Sequence, residues 1–279
     1  MCKTFPKELV RKVLKNIINR YCDEISSYTL QLWIVIDDNA DKAKPLGSAV
    51  LLTANGKYYL VTAAHVMDGC DISNIAFWDD RDLVQVSGQA VYLSTVAEIN
   101  KNGDIAVWLL SDEAFNALQK HYSFLPIDRV LMNHQIDLHE RYIMVGYPVS
   151  KTKKIFQSMT IPIKTLRFVT RGDNTPSKIK SNDLDALINF MVVYHKRKAQ
   201  SFGAAENQVE HLPDPYGMSG CGLWYLDENR IARLVGIMTG FNFVDTIMIA
   251  SRIDLAIEII RKSFDNTISP SQTISIKWK

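Results

Sequence analysis

Gly47-Ser48-Ala49-Val50-Leu51-Leu52-Thr53-Ala54-Asn55-Gly56-Lys57-Tyr58-Tyr59-Leu60-Val61-Thr62-Ala63-Ala64-His65 is the stretch that decides the fold. Two runs rich in aliphatic, β-branched and aromatic residues, Gly47 to Thr53 and Lys57 to Thr62, flank Asn55-Gly56. An Asn-Gly pair between two such runs is the strongest short-range signal for a hairpin, because the favoured tight turns need positive φ at the central residues. The second run ends on small residues and then a histidine, so the imidazole stands just past the end of a strand.

Outward from this hairpin the period-two and short apolar runs continue. Tyr28 to Ile36, Ala90 to Thr95 and Ile105 to Leu110 belong to the same half of the chain. Tyr142 to Tyr147, Phe156 to Thr170, Leu187 to His195, Gly222 to Leu226, Arg233 to Met238 and Thr246 to Ala250 form a second set. The helix-like Asp112 to Gln119 and the segment to about Asp128 separate the sets. This many short strands predicts an all-β protein, and the pattern alone leaves two small barrels and one larger sandwich both open. The loops expected at Arg171 to Asp185 and Lys198 to Tyr216 are polar.

Two helices frame the strands. Leu9, Val10, Val13, Leu14, Ile17, Ile18 and Tyr21 follow a 3–4 repeat after Pro6, and Ile253, Leu255, Ala256, Ile259 and Ile260 give the segment to Phe264 a helical face. The expected division is an N-terminal helix at 1–23, a first β unit at 24–128, a second with the last helix at 129–264, and a polar tail at 265–279.

Composition narrows the function classes. Of 279 residues 47% are hydrophobic and 22% charged, which supports a packed core and excludes disordered and fibrous chains. Lys and Arg total 32 against 30 acidic residues, and a net charge of +2 gives no reason to expect a nucleic-acid or membrane partner. No apolar segment near the N-terminus has the make-up of a secretory signal, and no run reaches the length of a membrane span. Cys2, Cys22, Cys70 and Cys221 show neither CxxC pairing nor zinc spacing, and His134 with His139 is not a helical metal pair. The expectation is a cytoplasmic protein without metal or cofactor.

Hydrolysis of an amide by a nucleophile needs a hydroxyl or thiol, a base beside it, a group that holds the base, and backbone donors for the oxyanion. Three segments supply candidates: Leu60 to Val66 with His65, Gly103-Asp104-Ile105-Ala106-Val107 with Asp104, and Gly217-Met218-Ser219-Gly220-Cys221-Gly222 with Ser219. Glycine on both sides of Ser219 permits a tight turn in which the N–H groups of Gly217 and Ser219 face one oxygen. Singly, a histidine after a strand, an aspartate before one and a serine among glycines each have an ordinary structural explanation. Their occurrence together, in the order His, Asp, Ser, favours catalysis.

These segments resemble the trypsin-like (chymotrypsin-fold) serine proteases in motif and in chain order. Thr62-Ala63-Ala64-His65 is similar to the family's TAAH motif, Asp104-Ile105-Ala106-Val107 to its D-I-A-L strand, and Val145-Gly146-Tyr147-Pro148 to its V-G-Y-P turn. Gly217 to Gly222 corresponds to G-D-S-G-G with two changes, and Leu234-Val235-Gly236-Ile237 to the strand beside the primary pocket. Ser251-Arg252-Ile253-Asp254 is similar to bacterial high-temperature-requirement proteases, with no PDZ-like segment after it.

The resemblance spans roughly residues 28 to 264 and implies two six-stranded antiparallel β-barrels with an N-terminal and a C-terminal helix. It implies a serine endopeptidase in which Ser219 attacks, His65 is general base, Asp104 orients His65, and the Gly217 and Ser219 amides hold the oxyanion. Thr239 is expected to support Asp104 by a hydrogen bond. Pro213 and Asp214 are expected at the base of the substrate pocket, with Thr239, Gly240 and Phe241 on its far wall and Phe241 limiting its depth. The expected partners are a protein or peptide substrate and a regulatory protein; regulation by the helix from Leu9 to Tyr21 is the other expectation.

Two departures bear on mechanism. Met218 stands where zymogen-derived members carry the acid that binds a new N-terminal amine, which removes that activation route and implies a preformed or partner-set oxyanion turn. Cys221 replaces a glycine and reads as a buried small hydrophobe. The competing class is a binding or sensor module that keeps the protease fold without its activity.

Overall fold

The structure is a computed structural model that describes residues 7–36, 39–68, 70–79, 82–98, 103–149, 165–173, 185, 187–194, 213–274 and 277–278. Two antiparallel sheets carry the chain. The first contains β1 (Thr29–Ile36), β2 (Asn39–Ala54), β3 (Lys57–Thr62), β4 (Ile75–Asp79), β5 (Asp82–Gln85), β6 (Gly88–Tyr92), β8 (Ala106–Leu110) and β9 (Leu125–Pro126). Its order is β5-β4-β1-β2-β3-β8-β6, with the short β9 lying parallel to β2. The second contains β10 (Arg141–Gly146), β11 (Leu166–Arg171), β12 (Asn189–Val193), β13 (Gly222–Leu226), β14 (Ala232–Asn242) and β15 (Ile247–Arg252), in the order β11-β10-β13-β14-β15-β12. A bridge between Gly172 and Val192 draws its two edge strands together, so the sheet curls toward closure. The all-β, two-sheet architecture with helices at both ends agrees with expectation, and the first sheet has eight strands in place of six. The surplus comes from short pieces such as β5 and β9, which bury too few apolar residues to announce themselves in the sequence.

The Asn55-Gly56 hairpin forms as expected. Ala54 pairs with Lys57 and Val50 with Val61. Asn55 has φ 51° and Gly56 φ 74°, the conformation an Asn-Gly turn accepts at low cost. The strand expected at Ala90 to Thr95 stops at Tyr92 and continues as a short helix from Leu93 to Val96. Residues 156–164 of the strand expected to end at Thr170, and the loops at 174–184 and 198–212, lie outside the described residues.

The N-terminal helix runs from Lys7 to Ser27, further than its apolar repeat predicts. Its last turns are a brace between the sheets. Cys22 and Ile25 are fully buried in one cluster with Val50, Leu52 and Tyr59 from the first sheet, and Ile143, Val145 and Trp224 from the second. Burying a side chain the size of Ile25 is worth about 2 kcal/mol. Arg167 fastens the helix polar side, donating to Asp23 at 2.5 Å and to Ser26 Oγ at 3.2 Å.

The C-terminal helix, Ile253–Ser263, packs its apolar face into the same cluster. Its tail is docked rather than merely polar. Asn133 Oδ1 accepts from the amides of Gln272 and Thr273 at 2.8 Å, Ser271 Oγ donates to Asp254 Oδ1 at 2.6 Å, and Ile268 and Ile274 are buried. Beyond it β16 (Lys277–Trp278) pairs with β7 (Ala97–Glu98). No helix among the described residues is long and apolar enough to cross a membrane.

Candidate active site

Strand pairing brings His65 to Asp104. Val61 and Thr62 of β3 lie opposite Val107 and Ala106 of β8, so the chain just past Thr62 runs beside the chain just before Ala106. Ala64 N donates to the Asp104 carbonyl at 3.2 Å, and His65 N donates to Asp104 Oδ1 at 2.8 Å. His65 Nδ1 is hydrogen-bonded to Asp104 Oδ2. One carboxylate therefore holds both the backbone and the ring, which places the proton on Nδ1 and leaves Nε2 as the basic nitrogen. The hydrogen bond to Asp104 lifts the imidazole above its ordinary range, and partial burial opposes the shift.

Ser219 reaches this region through the sheet interface. Its carbonyl accepts from Ser48 N at 2.8 Å. A Cβ on Gly47 would stand 2.8 Å from Val66 Cγ1 and 3.1 Å from the Ser219 oxygen, so the residue after His65 and Ser219 itself converge on one glycine. Gly220, at φ 89°, is packed so closely that a Cβ there would fall 1.8 Å from the Ser48 oxygen. A side chain larger than hydrogen is excluded at both points. Among the described residues no hydrogen bond joins Ser219 Oγ to His65.

The turn around Ser219 has an alternating pattern of backbone donors. Met218 N donates to Pro215 O at 2.8 Å, Gly220 N to Met238 O at 2.8 Å, and Cys221 N to Met218 O at 3.0 Å. Gly217 N and Ser219 N donate to nothing among the described residues, although Gly217 is buried. Unsatisfied amides are rare inside proteins because each forfeits a hydrogen bond to water. The two open amides stand one residue apart in the turn, with Gly217 at φ 93°.

Ser48, which no local sequence pattern marks as a site residue, ties this turn down. Its Oγ donates to Gly217 O at 3.0 Å and accepts from Tyr147 N at 3.0 Å, with no exposure to solvent. The clue was its place in the Gly47-Ser48 start of the decisive hairpin, but its partners lie 169 and 99 residues away. Ser48→Ala is expected to leave both buried groups unpaired and to cost about 2 kcal/mol, read as a lowered urea midpoint; an unshifted midpoint would show that the turn does not depend on Ser48.

Thr239 does not support Asp104. Its hydroxyl lies 3.3 Å from Ser251 Oγ, and Asp104 is engaged by His65. The cause is a register shift between Met238 and Gly240, where β14 bulges against β15 and re-aims Thr239. Of the other pocket candidates, Gly240 and Phe241 follow the stretch of β14 bonded to the turn, and Pro213 is linked to Phe241 through Tyr194. Met238 N and O bind Cys221 O and Gly220 N, which sets Thr239, Gly240 and Phe241 directly beyond the turn. The Tyr194 hydroxyl donates to Pro213 O, and the Tyr194 ring meets Phe241 edge-on at 5.3 Å. Phe241 in turn meets Phe243 at 4.7 Å. Asp214 is exposed.

Met218 and Cys221 are both wholly buried, in the core of the second sheet. Met218 Sδ and Cε close over Gly146, where a Cβ would approach them to 2.9 Å. Burial raises the Cys221 thiol far above its ordinary range, so it behaves as an apolar filler without a thiolate. Cys22, Cys70 and Cys221 are free thiols. No group of three or more His, Cys, Asp and Glu among the described residues is arranged to hold a metal ion.

No protein-family model and no curated protein sequence matches the chain. Solved structures do. A thermostable serine protease, AL20, from an extremophilic microorganism superposes with a TM-score of 0.52 at 12% identity, over 88% of this chain and 98% of that one. The Vibrio cholerae VesB protease gives 0.51 at 14% identity over 85% of this chain and 63% of its own. A scabies mite inactivated protease paralogue, S-D1, gives 0.50 at 15% identity over 91% and 97%. The chain has the fold of trypsin-like serine proteases. A neighbour named as inactivated shows that this fold does not by itself carry activity.

Proposed function

We propose that the protein is a serine endopeptidase that cleaves protein or peptide substrates through an acyl-enzyme on Ser219. The observation that carries the reading is the pair of open amides on Gly217 and Ser219 in a turn where the amides of Met218, Gly220 and Cys221 are bonded. In the proposed cycle His65 Nε2 takes the Ser219 proton as Oγ attacks the scissile carbonyl, and the negative charge on the carbonyl oxygen is met by the two amides. The imidazolium, stabilised by Asp104, returns its proton to the leaving amine, and water then repeats the sequence to release the acid. The substrate side chain lies against Thr239, Gly240 and Phe241, with Pro213 and Asp214 at the edge, and Phe241 with Tyr194 makes that wall apolar.

Met218 supports a turn that is set by apolar packing and needs no amine from a cleaved N-terminus. The free thiols support a reducing, cytoplasmic setting, where restraint by a protein partner is part of the proposal. The burial of Cys22 and Ile25 supports a bracing role for the N-terminal helix over a gating one. A second reading, a catalytically silent binding module, is favoured by the missing hydrogen bond between Ser219 and His65, although such bonds are commonly long before substrate arrives.

A fluorophosphonate probe separates the two without a known substrate. The parent protein is expected to label, and Ser219→Ala and His65→Ala to lose the label. A folded parent that stays unlabelled, alone and with candidate partners, would favour the silent module.

A further inference from the structure

At the end of β13 remote from Ser219, the N-terminal helix and the turn leading into β14 enclose a cleft of about 450 Å3. Five residues of strand, roughly 16 Å, separate this turn from the nucleophile region. Its volume falls in the range of roughly 300–1,000 Å3 that ligand sites occupy. The helix contributes Ile17, Arg20, Tyr21 and Glu24, and the turn contributes Arg230 and Ile231. Tyr21 fastens the rim, its hydroxyl donating to the Arg230 carbonyl at 2.8 Å.

The charges in the cleft are unbalanced. Arg129 is committed at its base, donating to Glu24 Oε1 at 2.7 Å and to the Ala232 carbonyl at 3.0 Å, so Glu24 is already neutralised. The flanking carboxylates of Asp23 and Asp227 are held by Arg167 and Arg233. Arg20 and Arg230 are exposed, and among the described residues neither guanidinium makes a hydrogen bond or ion pair. Ile17, 37% exposed, adds an aliphatic surface to the same lining. A guanidinium fork matches a carboxylate in geometry and charge, and an aliphatic strip selects an apolar neighbour.

We propose that this cleft is a second binding site, one that takes an acidic segment of a partner protein, with carboxylates on Arg20 and Arg230 and an aliphatic side chain on Ile17 and Ile231. The site is independent of the chemistry at Ser219.

The test is fluorescence anisotropy of a labelled, end-capped pentapeptide alternating glutamate and leucine, with the full-length protein at low salt. It is expected to bind at least tenfold more tightly than a glutamate–serine peptide, and the double variant Arg20→Glu, Arg230→Glu is expected to weaken it at least tenfold. Ser219→Ala should bind as the parent does. Both arginines are exposed, so the double variant should melt as the parent does; should it misfold, Arg20→Gln with Arg230→Gln replaces it. Equal binding by parent and arginine variant, equal binding of the two acidic peptides, or no binding at all would each overturn the proposal.

Discussion

Asp104→Asn is expected to slow fluorophosphonate labelling, and hydrolysis of any substrate found, by about 10,000-fold while the protein stays folded. An amide at this position keeps one acceptor for His65 N, now bonded to Oδ1 at 2.8 Å, and turns its NH2 toward Nδ1. Nδ1 then becomes an acceptor, the imidazole proton moves to Nε2, and the nitrogen that should receive the serine proton is already occupied. The pH profile moves as well. The Asp104 hydrogen bond raises the His65 pKa, and a general base works only when unprotonated, so the acid limb of the parent profile lies above the ordinary histidine range. Removing the carboxylate shifts that limb to lower pH. A raised folded-state pKa adds stability that is present below the unfolded value and lost as pH rises through the folded one. The gap in Tm between parent and variant should therefore be wider at pH 5 than at pH 9. Labelling at parental rate in the variant would remove Asp104 from the mechanism.

Met218→Asp is expected to cost several kcal/mol, about 4 or more, and to abolish labelling with it. The Met218 side chain has no exposure and belongs to a cluster that includes Met144, Leu166, Cys221 and Leu223. A carboxylate there loses its hydration and meets a thioether-sized, apolar space, and an unpaired buried charge is among the most damaging of single changes. Against a total stability on the order of 5–15 kcal/mol, this approaches unfolding. Met218→Leu keeps volume and polarity and should cost less than about 1.5 kcal/mol, with labelling preserved. Guanidinium midpoints of the two variants decide the matter. An Asp variant as stable as the parent would mean that the position is hydrated or finds a cation, and the packing account of the oxyanion turn would fall. Burial raises the introduced acid above the ordinary carboxylate value, so the penalty should shrink as pH falls toward about 4 and stay level below it, where folded and unfolded chains are both protonated.

What could be read from the residues is what depends on neighbours along the chain. The Asn55-Gly56 turn, the run from Lys57 to Thr62 ending at His65, the strand from Gly222 to Leu226 and the helix that opens at Ile253 are each set by local conformational preference and apolar spacing. His65, Asp104 and Ser219 stood out because small residues and glycines mark the strand ends on which they sit. Strands as short as β5 and β9 left too little periodicity to detect.

Contacts between distant segments were decided by the tertiary structure alone. Ser48 became a link between Gly217 and Tyr147 only when β2 met the second sheet, and the polar tail became an anchored element only when Asn133 and Asp254 offered it acceptors. Thr239 met Ser251 because a bulge in β14 changed its register, a shift that no single-strand pattern encodes. Side-chain type and spacing set which segments become strands; the pairing of surfaces far apart in sequence sets where each hydroxyl, amide and guanidinium finds its partner.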